Sequence, residues 1–146
     1  MDYYIDTNVM WRRFASDDPM HQISLFALDS LLVRGDTLNI SAQNLIEFQA
    51  IATRPLEVNG LGLTTRLASE KALEMTDMFS FLPDTPDIYS HWRRLVDVHE
   101  VKGKQVHDAR IVAVMLSHNI GHIVTFNHEH FSRFTEITVI TPENIT

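Results

Sequence analysis

The spacing of hydrophobic residues changes along the chain, and each change predicts an element. Residues 2–6, Asp2-Tyr3-Tyr4-Ile5-Asp6, read as a short buried strand closed by an acid. Helical spacing follows from Thr7 to Ala15. Ser16-Asp17-Asp18-Pro19 interrupts it, because the residue before a proline is pushed out of the helical region. Ile23, Phe26, Ala27, Ser30 and Leu31 then keep a helical period up to Gly35, a C-terminal stop. Thr37-Leu38-Asn39-Ile40 alternates as a strand does, and residues 42–53 return to helical spacing, ending before Pro55. Residues 56–62, with Asn59-Gly60 and Gly62, form a loop, and a helix is predicted over 64–78.

The apolar stretch Phe79 to Leu82 predicts a short strand. Pro83 and Pro86 break the chain before a helix over 87–99. The loop Lys102-Gly103-Lys104-Gln105 leads to a strongly apolar helix over 107–118. After Gly121, residues His122 to Phe126 read as a strand, 128–132 as a turn or short helix, and Thr138-Val139-Ile140 as a last strand. Strands alternate with helices, which predicts a parallel sheet covered on both faces. In such sheets, ligand sites collect at the carboxyl ends of the strands. Repeats, low-complexity tracts and interdomain linkers are absent, so 146 residues are expected to form one domain, 1–146.

Three carboxylates occupy places that this pattern would reserve for apolar side chains. Asp6 ends the first strand, Glu47 stands between Leu45-Ile46 and Phe48, and Asp108 opens the run Ile111-Val112-Ala113-Val114-Met115-Leu116. Each has a plainer reading. Asp6 and Asp108 begin helices and suit caps, and a single glutamate most often faces solvent. Asp108 nevertheless shares a helix face with Val112 and Met115, which turns it inward. Asn127 follows the fourth strand, where, taken alone, it reads better as a turn residue or cap. The architecture gathers all four at one sheet edge. Acids held close together call for a compensating cation, and oxygen ligands favour a divalent metal.

Composition narrows the chemistry. A chain without cysteine excludes disulfides, zinc-thiolate sites and thiol nucleophiles. The net charge of -7 argues against a broad polyanion-binding surface, while a metal and local basic groups would still admit a phosphate backbone. Arg12 and Lys104 lie near Asp6 and Asp108 in sequence, and His107 is next to Asp108; each is otherwise a solvated residue. The eight histidines show no zinc spacing, and the five glycines form no phosphate loop. A Gly-x-Ser-x-Gly elbow is also missing. No signal peptide opens the chain and no apolar run approaches a membrane span, so a soluble cytoplasmic protein is expected.

Taken together, Tyr4-Ile5-Asp6-Thr7-Asn8-Val9, Asn44-Leu45-Ile46-Glu47-Phe48, Gly103 to Arg110, Val124 to Phe131 and Ile137 to Pro142 resemble a PIN-domain ribonuclease of the VapC toxin type. The resemblance covers nearly the whole chain. It implies a three-layer α/β/α fold with a central, mostly parallel sheet of four to five strands. It implies that Asp6, Glu47 and Asp108 bind Mg²⁺ or Mn²⁺, with Asn127 at a fourth catalytic position and Asn8 and Thr125 in support. The implied activity is hydrolysis of RNA phosphodiester bonds, with an antitoxin protein and a second copy of the chain as partners. The chain departs from the family pattern at His130, where an aspartate often stands, and Asn127 is neutral. A degenerate PIN domain that only binds RNA or protein is therefore the alternative. A phosphotransferase using an aspartate nucleophile would need a second acid at Asn8.

Overall fold

The structure, a computed structural model, describes residues 1–146. The strands are β1 (Asp2–Ile5), β2 (Thr37–Ser41), β3 (Ser80–Leu82), β4 (His122–Val124) and β5 (Thr138–Ile140). The helices are α1 (Thr7–Met10), α2 (His21–Val33), α3 (Ala42–Thr53), α4 (Thr65–Thr76), α5 (Ile88–His99), α6 (Gln105–Ser117) and α7 (His128–Phe131). The strands form one sheet in the order β3-β2-β1-β4-β5, and every neighbouring pair is parallel. The expected α/β architecture is present, with its sheet parallel throughout.

Side-chain alternation along the strands builds two cores. Tyr3 and Ile5 of β1, with Leu38, Ile40 and Val124, pack on α1 to α4 through residues such as Met10, Leu28, Leu31, Phe48 and Ala52. Tyr4, Leu82 and Ile123 face the opposite way, onto Leu95 of α5 and the buried run Ile111 to Met115 of α6. Successive strand residues point to opposite faces, so a sheet between two helical layers must be apolar on both. That is why the strands read as apolar runs.

Most elements fall where the spacing predicts, and the differences have local causes. The helix predicted over 7–15 is α1 followed by a tighter 3₁₀ turn at Trp11–Phe14, which ends before the proline break. Helix α6 begins at Gln105, two residues before its predicted start, because Gly103 at φ 61° lets the chain turn directly into the helix. Strand β4 stops at Val124; the Thr125 N–H still donates to the Ile140 carbonyl at 3.0 Å, and Phe126 lies beyond the strand. No helix is long and apolar enough to cross a membrane.

A buried polar cluster joins the end of β1 to the start of α3. Asn44 Nδ2 donates to the Ile5 carbonyl at 2.7 Å, while its Oδ1 accepts from the Ser41 backbone N–H at 2.9 Å and from the Tyr4 hydroxyl. Tyr4 Oη in turn pairs with Ser41 Oγ at 2.7 Å. Burial pushes the Tyr4 hydroxyl well above its usual pKa, and the Ser41 hydrogen bond opposes that rise. The phenol therefore stays neutral and can donate. Because a stranded buried polar group costs about 1–3 kcal/mol, Tyr4→Phe should destabilise the fold by about 1 kcal/mol or more. Asn44→Ala, which strands two main-chain groups, should cost about 3 kcal/mol. Urea unfolding of both variants measures this, and a loss below about 0.5 kcal/mol for Asn44→Ala would refute it.

Candidate active site at the carboxyl edge

The chain leaves β1 at Asp6 and turns at once into α1. The Asp6 N–H extends the sheet ladder to the Val124 carbonyl at 3.0 Å, and the Asp6 carbonyl accepts from the N–H groups of Val9 and Met10 at 3.0 Å. Its backbone thus caps the helix, but its side chain makes no cap hydrogen bond. The carboxylate Oδ2 instead accepts from Thr125 Oγ1 at 2.6 Å. Only 6% of Asp6 is exposed. That burial pushes its pKa up from 3.8 to about 7; the Thr125 hydrogen bond opposes the shift, while the negative charges of Glu47 and Asp108 add to it.

Asp108 lies in the first turn of α6 and is half-buried, with Lys104 at the N-cap. It is therefore not a cap itself. Burial raises its pKa, the nearby His130 imidazole lowers it, and Glu47 raises it again. Glu47, half-buried on α3, accepts from Gln43 Nε2 at 2.9 Å through Oε1. The fold thus brings Asp6, Glu47 and Asp108, from three separate elements, into one electrostatic field.

Thr125 is the junction of the supporting bonds. Besides donating to Asp6, its Oγ1 accepts from the Asn127 backbone N–H at 3.0 Å and from Asn8 Nδ2 at 3.4 Å. Asn8 Oδ1 accepts from the Phe126 N–H at 3.3 Å, so Asn8 also braces the loop after β4. Asn127 joins this network through its backbone. Its side chain is exposed and makes no hydrogen bond to the acids; its backbone N–H supports Asp6 through Thr125. His130 faces the centre, with Nδ1 3.7 Å from Asp108 Oδ2.

The basic residues occupy different positions. Arg12 pairs with Asp18 at 3.2 Å, donates to the Asn8 carbonyl at 2.9 Å and stacks over Trp11, so its charge is largely engaged. Lys104 and His107 are exposed. Gln43, Asn44 and Arg110 were not singled out from sequence. Their partners lie on other elements, and no local spacing signals them; only the Ser41-x-x-Asn44 cap-like pattern offered a hint.

The donor set suits a hard divalent cation. It consists of carboxylate oxygens, and the buried Asp6 carboxylate has a charge that the protein itself does not neutralise. No three acid or imidazole side chains stand at coordination spacing.

A sequence profile for the PIN domain matches residues 3–137. No curated protein matches the chain significantly. Among solved structures, the chain is similar to VapBC2 from Rickettsia felis bound to a promoter DNA fragment, with a TM-score of 0.71 and 17% identity over 97% of this chain and 98% of that one. It is also similar to FitAcB from Neisseria gonorrhoeae, with a TM-score of 0.66 and 21% identity over 97% and 99% of the two chains. VapC20 from Mycobacterium tuberculosis, described as a sarcin-ricin loop cleaving toxin, matches with a TM-score of 0.64 and 18% identity over 90% and 95%. At these identities the structures share the fold. With the profile spanning nearly the whole length and the parallel five-stranded sheet in place, the chain belongs to the PIN domain family.

Proposed function

We propose that this PIN domain is a Mg²⁺- or Mn²⁺-dependent endoribonuclease and the toxin of a toxin–antitoxin pair. The observation that carries this reading is the buried Asp6 carboxylate at the carboxyl edge, faced by Glu47 and Asp108 with no protein cation against it. A structural neighbour that is a toxin–antitoxin complex, from Klebsiella pneumoniae, lends support to an antitoxin partner. A homodimer and a cytoplasmic location complete the proposal.

In this reading Asp6 and Asp108 hold the ion, directly or through its waters, and Glu47 orients the attacking water or holds a second ion. A divalent ion bound there supplies Lewis acidity and a more acidic water. Thr125 fixes Asp6 in one rotamer through the 2.6 Å bond, and Asn8 fixes Thr125. Asn127 stands exposed at the mouth, where its amide can meet the substrate. The His130 imidazole, 3.7 Å from Asp108, lowers the pKa of that carboxyl and so favours its ionised form.

Asp108→Asn should reduce metal-dependent cleavage of mixed RNA at least about 100-fold, with the melting temperature kept within a few degrees. Wild-type protein that binds RNA but never cleaves it, in Mg²⁺ or Mn²⁺, would instead favour the binding-only alternative.

Asp6 gives a stability test. The folded protein keeps its proton up to about pH 7, whereas an ordinary aspartate releases it near 3.8. Between those values the native state binds more protons than the unfolded state, so stability without metal falls as pH rises through this window. Asp6→Asn removes that slope. It should raise the melting temperature of the metal-free protein at pH 8 by several degrees while abolishing cleavage. Mn²⁺ should bind with proton release below pH 7 and more tightly as pH approaches 7. Melting scans from pH 5 to 8, with and without Mn²⁺, test both statements; an unchanged slope in Asp6→Asn would contradict them.

A further inference from the structure

Glu47 and Asp108 stand on different helices, and one side chain spans the gap between them. Gln43, only 9% exposed, precedes Glu47 by one turn of α3. Its Nε2 donates to Glu47 Oε1 at 2.9 Å and to the His107 carbonyl at 2.9 Å. His107 directly precedes Asp108 on α6. Gln43 Oε1 accepts from Arg110 Nη1 at 3.3 Å, and Arg110 Nη2 is held by Asp84 Oδ2 at 3.2 Å. Both amide protons and the amide oxygen are thus engaged. The opposite orientation would set oxygen against a carboxylate and a carbonyl, and the NH₂ against a guanidinium, so only one orientation is satisfied.

We propose that Gln43 is the positioning residue that fixes Glu47 relative to Asp108 for the divalent ion, with Arg110 as its anchor. This rests on the metal-site reading given above. The amide has an advantage over a direct ion pair. A guanidinium against Glu47 would neutralise the carboxylate and compete with the ion. Interposed between them, the amide is polarised by Arg110 and grips one carboxylate oxygen, and no guanidinium is set directly against Glu47. Glu47 Oε2 has no protein hydrogen bond and remains available to the ion or its water.

Titration calorimetry with Mn²⁺ alone, alongside cleavage assays, tests this role. Gln43→Met keeps the length of the side chain and removes its hydrogen bonds. It should weaken Mn²⁺ binding about 10- to 100-fold. Cleavage should then need correspondingly more Mn²⁺ and recover in part at saturation. Arg110→Met, at a half-exposed position where folding is not at risk, should shift binding in the same direction by several-fold. Gln49→Met, on the same helix but outside the network, should leave both unchanged. A lowered melting temperature with wild-type Mn²⁺ affinity in Gln43→Met and Arg110→Met would overturn the proposal. If Asp108→Asn also binds Mn²⁺ like wild type, the metal-site reading itself fails; if Asp108→Asn loses the ion and the Gln43 and Arg110 variants do not, only the positioning role fails.

Discussion

A carboxylate almost wholly withdrawn from water governs this molecule. Asp6 ends the central strand of the sheet, and everything around it addresses the cost of its charge. Thr125 meets it with a short hydrogen bond, and Asn8 and the Asn127 backbone hold Thr125 in turn. These bonds favour the ionised form, but burial and two further acids outweigh them. Neutral hydrogen-bond partners cannot replace a lost hydration shell and a counter-charge together. The site is therefore built with a deficit that a divalent cation would relieve, and the same deficit opposes the stability of the metal-free fold.

The rest of the edge is correspondingly rigid. Asn44 binds the last carbonyl of β1, caps the end of β2 and receives the Tyr4 hydroxyl, so two strand ends and a helix start share one amide. Gln43, the neighbouring residue, links α3 to α6. Two adjacent amides thus serve opposite sides of the acid cleft. Amides suit this task, since each offers donors and an acceptor in a fixed plane and adds no charge to a region already carrying three negative groups.

The order of elements was legible because both faces of the sheet are buried, which writes each strand as an apolar run and each helix as a periodic one. Asp6, Glu47 and Asp108 were legible because acids interrupt those runs. The remainder depends on contacts between distant segments. Thr125 was expected within a strand, and its N–H does pair with Ile140; it becomes the junction of the site through its hydroxyl, which meets Asp6, Asn8 and the Asn127 N–H. Asn127 has the right place in the chain, but its side chain turns to solvent. Gln43 and Arg110 meet across 67 residues, and no periodicity in either helix encodes that meeting. His130 was read as a departure from the family pattern. Spatially it faces Asp108, so the substitution changes the charge of the site without vacating its position.

The sheet order has a further consequence for the timing of synthesis. Strand β1 is the first to be made and the central one in the sheet, flanked by β2 and β4. Its partner β4 spans residues 122–124, and the Thr125 hydroxyl is 119 residues away from Asp6 along the chain. A nascent chain on the ribosome therefore carries an Asp6 with no Thr125 to hold it, and an α3 whose Gln43 has no α6 to grip, until nearly all of the domain has emerged. Such long-range pairing also closes late in folding. A partly translated domain consequently has no assembled acid cleft, and the cleft first exists once nearly all of the domain has been made.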